Sequence, residues 1–172
     1  MKTIEIRRHS IRSKPGPNLS QQGVSLARLV GEEMGKFNIV ITSSLPRAYQ
    51  TAIAMGYAVD ETSELIASFS DDINDECPWP ASFAEYAAAI RKNGPSARYI
   101  RQLAAFYCEL VEHLPEDGAA LVVNHGGIVE FSTLSCLPDA DPTYLGDYVE
   151  CCEGVRLTWE NGAFTRAEIL RV

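Results

Sequence analysis

The chain opens on Thr3-Ile4-Glu5-Ile6-Arg7, where apolar and polar positions alternate with the two-residue period of a strand. The charged group Arg7-Arg8-His9-Ser10 comes next, so the strand is predicted to end just before His9. A loop dense in turn residues, Ser13-Lys14-Pro15-Gly16-Pro17-Asn18, then leads to Ser20. Ser20 is the predicted cap of a helix in which Val24, Ala27, Val30 and Met34 recur at helical spacing, with Leu19 as a staple at its entrance. The β-branched run Asn38-Ile39-Val40-Ile41-Thr42 predicts a second strand. In Ser43-Ser44-Leu45-Pro46, serine caps and a proline near the first turn predict a second helix.

Residues 60–76 carry seven acidic side chains and no basic one, and they run into Cys77-Pro78-Trp79-Pro80, whose prolines resist helix and central strand alike. A long excursion over the surface is expected there. Ser82 and Glu85 have capping-box spacing and open a helix to about Lys92, which Asn93-Gly94-Pro95 ends. In the next helix Ile100, Leu103, Ala104, Tyr107, Leu110, Val111 and Leu114 form one wide apolar stripe. Asp117-Gly118 turns the chain into Ala119-Ala120-Leu121-Val122-Val123, a strand apolar enough to be buried on both faces. After Asn124-His125-Gly126-Gly127 a helix is expected from Ile128 to about Cys136, and the chain ends in two alternating runs around Asn161-Gly162, a hairpin signal. The alternation of strands and helices predicts an α/β fold: a three-layer α/β/α sandwich with a mainly parallel sheet and a C-terminal antiparallel hairpin. At 172 residues, 1–172 is read as a single domain.

Composition narrows the field. With 46% hydrophobic and 22% charged residues the chain is of ordinary globular type. No apolar run approaches the ~20 residues needed to span a bilayer, and the N-terminus lacks a signal-peptide core, so a cytoplasmic protein with no membrane partner is expected. Five cysteines without a Cys-x-x-Cys pair read as reduced thiols. A net charge of -8 disfavours nucleic acid as a partner. Residues 1–50 nevertheless hold eight Lys/Arg against three Asp/Glu, leaving seven against twenty for the rest, so the cations are concentrated in one segment.

In an open parallel sheet, ligands bind beyond the carboxyl ends of the strands. Three segments leave a strand and present polar side chains at once: Arg8-His9-Ser10-Ile11-Arg12, Thr42-Ser43-Ser44-Leu45-Pro46-Arg47 and Asn124-His125-Gly126-Gly127. If they meet, two imidazoles and three guanidiniums face one cavity, suited to a tetrahedral oxyanion such as phosphate. A neutral imidazole among arginines resists protonation and is free to attack phosphorus. His113, near the end of an amphipathic helix, is assigned a solvated or dipole-capping role. Competing motifs are absent. There is no Gly-x-Gly-x-x-Gly and no Gly-x-Ser-x-Gly, and Gly31-Glu32-Glu33-Met34-Gly35-Lys36 falls one residue short of a P-loop. Only four residues separate Cys151 from Arg156, where a cysteine phosphatase uses five. A zinc site on His9 and His125 is disfavoured by the repulsion between arginines and a dication.

These residues resemble the histidine phosphatase superfamily, which includes phosphoglycerate mutases, bacterial phosphohistidine phosphatases and histidine acid phosphatases. Arg8-His9-Ser10 is similar to its Arg-His-Gly signature and Leu19-Ser20-Gln21-Gln22-Gly23 to its Leu-Thr-x-x-Gly helix entry. Ser43 to Ala52 resembles its second arginine motif and Asn124-His125-Gly126-Gly127 its second histidine motif, so the match runs from about residue 3 to 131 in the family's order. The resemblance implies that His9 is the phosphorylated histidine, that Arg8 and Arg47 bind the phosphoryl group with Arg12 as a further ligand, that His125 stabilises its charge, and that neither metal nor cofactor is needed.

Three departures stand out. Ser10 replaces glycine, either crowding the backbone or adding a hydroxyl donor. Gly126 stands where the acid phosphatase branch has its acidic residue; the mutase branch has its own between the second arginine helix and the lid, and that resemblance points to the acidic stretch, with Asp71 and Asp72 as candidates for the proton donor and Glu76 and Glu130 behind them. The chain also lacks the mutases' insertions, which favours hydrolysis over transfer. The expected function is a metal-independent phosphomonoester hydrolase working through a phosphohistidine on His9, with a small phosphorylated metabolite or a phosphoprotein as substrate. A protein phosphohistidine phosphatase and a non-catalytic phosphate-binding module are the alternatives.

Overall fold

The computed structural model describes residues 1–172. Its elements run β1 (Lys2–Arg8), α1 (Gln21–Glu32), β2 (Ile39–Ser43), α2 (Pro46–Ala54), β3 (Glu61–Ser63), α3 (Asp71–Glu76), α4 (Phe83–Arg91), α5 (Pro95–His113), β4 (Ala119–Asn124), α6 (Ile128–Cys136), β5 (Gly154–Glu160) and β6 (Ala163–Leu170). The strands form one sheet in the order β3-β2-β4-β1-β5-β6. β1 to β4 are mutually parallel, whereas β5 and β6 form an antiparallel hairpin against β1. This is the α/β architecture that the residue pattern predicts.

Successive side chains of a strand point to opposite faces, so a central strand covered on both sides must be apolar throughout. β4 meets that condition. Ala120 and Val122 pack into the larger core with α4, α5 and α6, while Leu121 and Val123 pack with Val40, Ala48 and Ala52 on the other face. The α5 stripe predicted from spacing supplies Leu103, Tyr107, Leu110, Val111 and Leu114 to the larger core. On the opposite side Ala27 and Val30 of α1 meet Met55 and Cys152. Ser20 caps α1, accepting from Gly23 N–H at 3.0 Å, and Ser82 and Glu85 form the reciprocal capping box of α4. Asn161 and Gly162 both adopt positive φ, 54° and 83°, as a two-residue hairpin turn requires.

Two expectations are corrected. Residues 60–76 are not one surface excursion: they contain β3, a short 3-10 turn and α3. Ile66 and Ile73 anchor this stretch in the core, and Asp60 accepts from Val40 N–H at 2.8 Å. The density of charge conceals those two anchors. The start of α2 also differs, because Leu45 is its N-cap and no side chain caps it. Ser43 is turned to another partner, described below. All five cysteines are unbridged, and no helix is long and apolar enough to cross a membrane.

Candidate active site

β1 and β4 are neighbours in a register that pairs Arg8 with Asn124, and His9 N–H donates to Asn124 O at 2.8 Å. The residues leaving these two strands therefore start side by side, and the His9 and His125 ring centroids lie 5.0 Å apart. β2 flanks β4 on its other side, and Arg47, one residue into α2, reaches back to donate from Nε to His9 Nε2 at 3.1 Å. All three strand ends thus open on one cavity of about 410 Å³. His9, His125, Arg8, Arg12 and Arg47 line it, with Lys14, Trp79 and Cys151 among its other walls.

His9 has a defined tautomer. Its Nδ1 lies 2.6 Å from the Ser10 carbonyl, which can only accept, so Nδ1 carries the proton and Nε2 keeps its lone pair toward Arg47. Burial is the main cause of a His9 pKa pushed down to about 4, and the charges of Arg47, Arg8 and Arg12 lower it further against the opposing bond to Ser10. Desolvation therefore outweighs the arginines, whose charge alone is legible in the sequence. His125 is lowered further still, again chiefly by burial and then by His9, Arg47 and Arg8. A hydrogen bond of 2.7 Å joins its Nε2 to Ser43 Oγ, which also accepts from Leu45 N–H at 3.3 Å, while its Nδ1 is buried without a partner. Ser43 is thus a site residue that its reading as a helix cap missed. The signal was its place as the last residue of β2, beside the end of β4.

Arg8 donates from Nη1 to Val149 O at 2.8 Å, stands 3.5 Å from a Glu150 oxygen and lies over the Trp79 ring at 4.9 Å. Its Nε is buried with no partner. Ser10 neither crowds the cavity nor reaches it. Its fully buried hydroxyl donates to Gly23 O at 2.7 Å, and its N–H donates to Thr51 Oγ1, which in turn donates to Arg47 O. This chain of bonds fixes the His9 loop against α1 and α2.

No Asp or Glu side chain lines the cavity. The expected donors Asp71 and Asp72 are not brought there: they are exposed at the start of α3, where Ser70 and Ile73 line a separate hollow with Tyr99. Glu76 is held by Ser96, accepting from its N–H at 2.8 Å and from its hydroxyl. Glu130 is fully buried, and its two oxygens accept from Gly127 N–H and Val149 N–H. A Cβ on Gly126 would come within 2.5 Å of Trp79 Nε1, so the indole occupies the space that a side chain after His125 would need. No group of three His, Cys, Asp or Glu side chains is arranged to hold a metal ion.

Two neutral imidazoles among arginines, at the carboxyl edge of a parallel sheet, form a cationic hollow whose chemistry suits an oxyanion. The sequence model of the histidine phosphatase superfamily (branch 1) matches residues 3–168, and the chain belongs to that family. Among solved structures, it is similar to a phosphoserine phosphatase from Entamoeba histolytica in complex with 3-phosphoglyceric acid. That likeness has a TM-score of 0.74 at 15% identity, covering 100% of this chain and 98% of the other. A mycobacterial glucosyl-3-phosphoglycerate phosphatase in complex with VO3 has a TM-score of 0.69 at 16% identity, with 99% of each chain covered. A phosphoglycerate mutase from Bacillus anthracis has a TM-score of 0.66 at 16% identity, covering 99% of this chain and 92% of the other. No curated protein matches the sequence.

Proposed function

We propose that this protein is a metal-independent phosphohydrolase that removes the phosphoryl group of a small phosphorylated compound through a phosphohistidine on His9. The observation that carries this reading is the His9 ring, neutral, with its Nε2 lone pair free of any proton and 3.1 Å from a guanidinium that can hold its target. Nε2 attacks phosphorus in line, the equatorial oxygens spread over Arg8, Arg12, Arg47 and His125, and water then cleaves the P–N bond to release inorganic phosphate. Ser43 orients His125 for its part. Asp71 and Asp72, exposed at the start of α3 and not part of the cavity lining, are given no step here.

The family and the phosphatases among its structural neighbours favour hydrolysis. Release of phosphate from p-nitrophenyl phosphate by the purified protein, and its abolition in His9→Ala, is the expected result. A His9→Ala variant as active as the parent overturns the reading.

A further inference from the structure

We propose that the substrate's phosphoryl group is joined to the oxygen of a second acid, as in an acyl phosphate or the terminal phosphoryl group of a diphosphate, rather than to an alcohol. This rests on the phosphohydrolase reading above and narrows its substrate.

The basicity of the leaving oxygen sets what a site must supply. An alcohol departs as an alkoxide about as basic as hydroxide, whose conjugate acid has a pKa of ~16, so fast cleavage needs a general acid that contributes about 10² to 10⁴ in rate. A carboxylate or phosphate departs with a conjugate-acid pKa of roughly 4 to 6 and needs no proton. The walls of this cavity contain no carboxyl group. Neighbouring carboxylates are committed elsewhere: Glu130 to two backbone N–H groups, Glu76 to Ser96, and Glu150 to the Arg8 guanidinium 3.5 Å away. Trp79 fills the position from which a side chain after His125 would reach in. At the mouth, burial pushes the Cys151 thiol up, away from the range of a carboxylic acid, and the Lys14 side chain stands exposed on the outer loop.

The charge of the cavity points the same way. Arg8 and Arg47 lie against the two histidines, while Arg12 and Lys14 are exposed on the loop that forms its outer wall. No anion in the lining balances Arg12 or Lys14. Two surplus cations at the mouth of the cavity suit a leaving group that is itself an anion. In the reaction, the His9 Nε2 lone pair forms the P–N bond while the P–O bond breaks, and its electron pair leaves on the carboxylate or phosphate oxygen. Water then attacks phosphorus, the P–N electron pair returns to Nε2, and the water's surplus proton passes to solvent.

The test compares acetyl phosphate, ADP and inorganic diphosphate with phosphoserine and 3-phosphoglycerate, alongside aryl phosphates of graded leaving-group pKa. Expected are a kcat/KM at least about 10²-fold higher for an acyl phosphate or a diphosphate than for the alkyl phosphates, and a steep fall along the aryl series as the leaving group grows more basic. The two arms separate acyl from diphosphate substrates, and either one active supports the proposal. Alkyl phosphates cleaved within tenfold of the anhydrides, or a flat aryl series, overturn it while leaving the hydrolase intact. No phosphate release from any compound, including the most activated aryl phosphate, overturns the hydrolase reading and this proposal with it.

Discussion

At the scale of single residues, the defining contact is between Arg47 Nε and His9 Nε2. In the reaction proposed above, this guanidinium passes from the His9 Nε2 lone pair to the incoming anion, so substrate binding uncovers the attacking atom. Arg47→Gln should lower kcat/KM by about 10² to 10³, the usual cost of removing a charge-stabilising donor, when assayed with p-nitrophenyl phosphate. The protonation state gives a second prediction. With burial holding the His9 pKa at about 4, nuclear magnetic resonance titration should find this ring neutral at pH 5, where a free imidazole is almost wholly protonated. In the proposed reaction, attack by this ring should then be lost only as the pH falls through about 4, as the pH profile of kcat/KM would read.

At the scale of elements, the site depends on the close approach of α1 to the loop after β1. A Cβ on Gly23 would sit 2.0 Å from Ile11 O, so Gly23→Ala forces backbone apart, and Gly23 O is also the acceptor of the Ser10 hydroxyl. This substitution should cost about 1 to 3 kcal/mol of stability in chemical denaturation and lower activity together with it. Much at this scale was legible in the sequence. Ile4 and Ile6, the unbroken apolar run of β4 and the Ser20 and Ser82 caps each have a local cause that acts wherever the rest of the chain lies, and they place His9 and His125 at strand ends, while the adjacency of those strands belongs to the sheet order. What stayed hidden depends on the path of the loops. Nothing local to Asp71 or Asp72 says that α3 faces a different hollow, and nothing local to Trp79 says that its indole lies on Gly126. Ser43 has the pattern of a cap, and only the adjacency of β2 and β4 turns it toward His125.

At the scale of the whole molecule, two neutral buried histidines make folding sensitive to acid. Unfolded, each imidazole takes up a proton below about pH 6.5; folded, His9 resists until about pH 4 and His125 beyond it. Between those values the unfolded state binds more protons, so stability falls as the pH falls, by roughly 3 kcal/mol for His9 alone across the window. The melting temperature should therefore drop from pH 7 to pH 4.5. Inorganic phosphate should offset part of the loss, since an anion among the arginines relieves the repulsion that opposes protonation. A melting temperature that does not change over this range would contradict the burial of both rings.

The register that pairs Arg8 with Asn124 sets both histidines by main-chain geometry, not by the loops that surround them. The reactive pair can therefore persist while the surrounding walls change. Lys14, Trp79 and Cys151 belong to connecting segments, and substitutions among them can reshape what the cavity admits without dismantling the histidine pair.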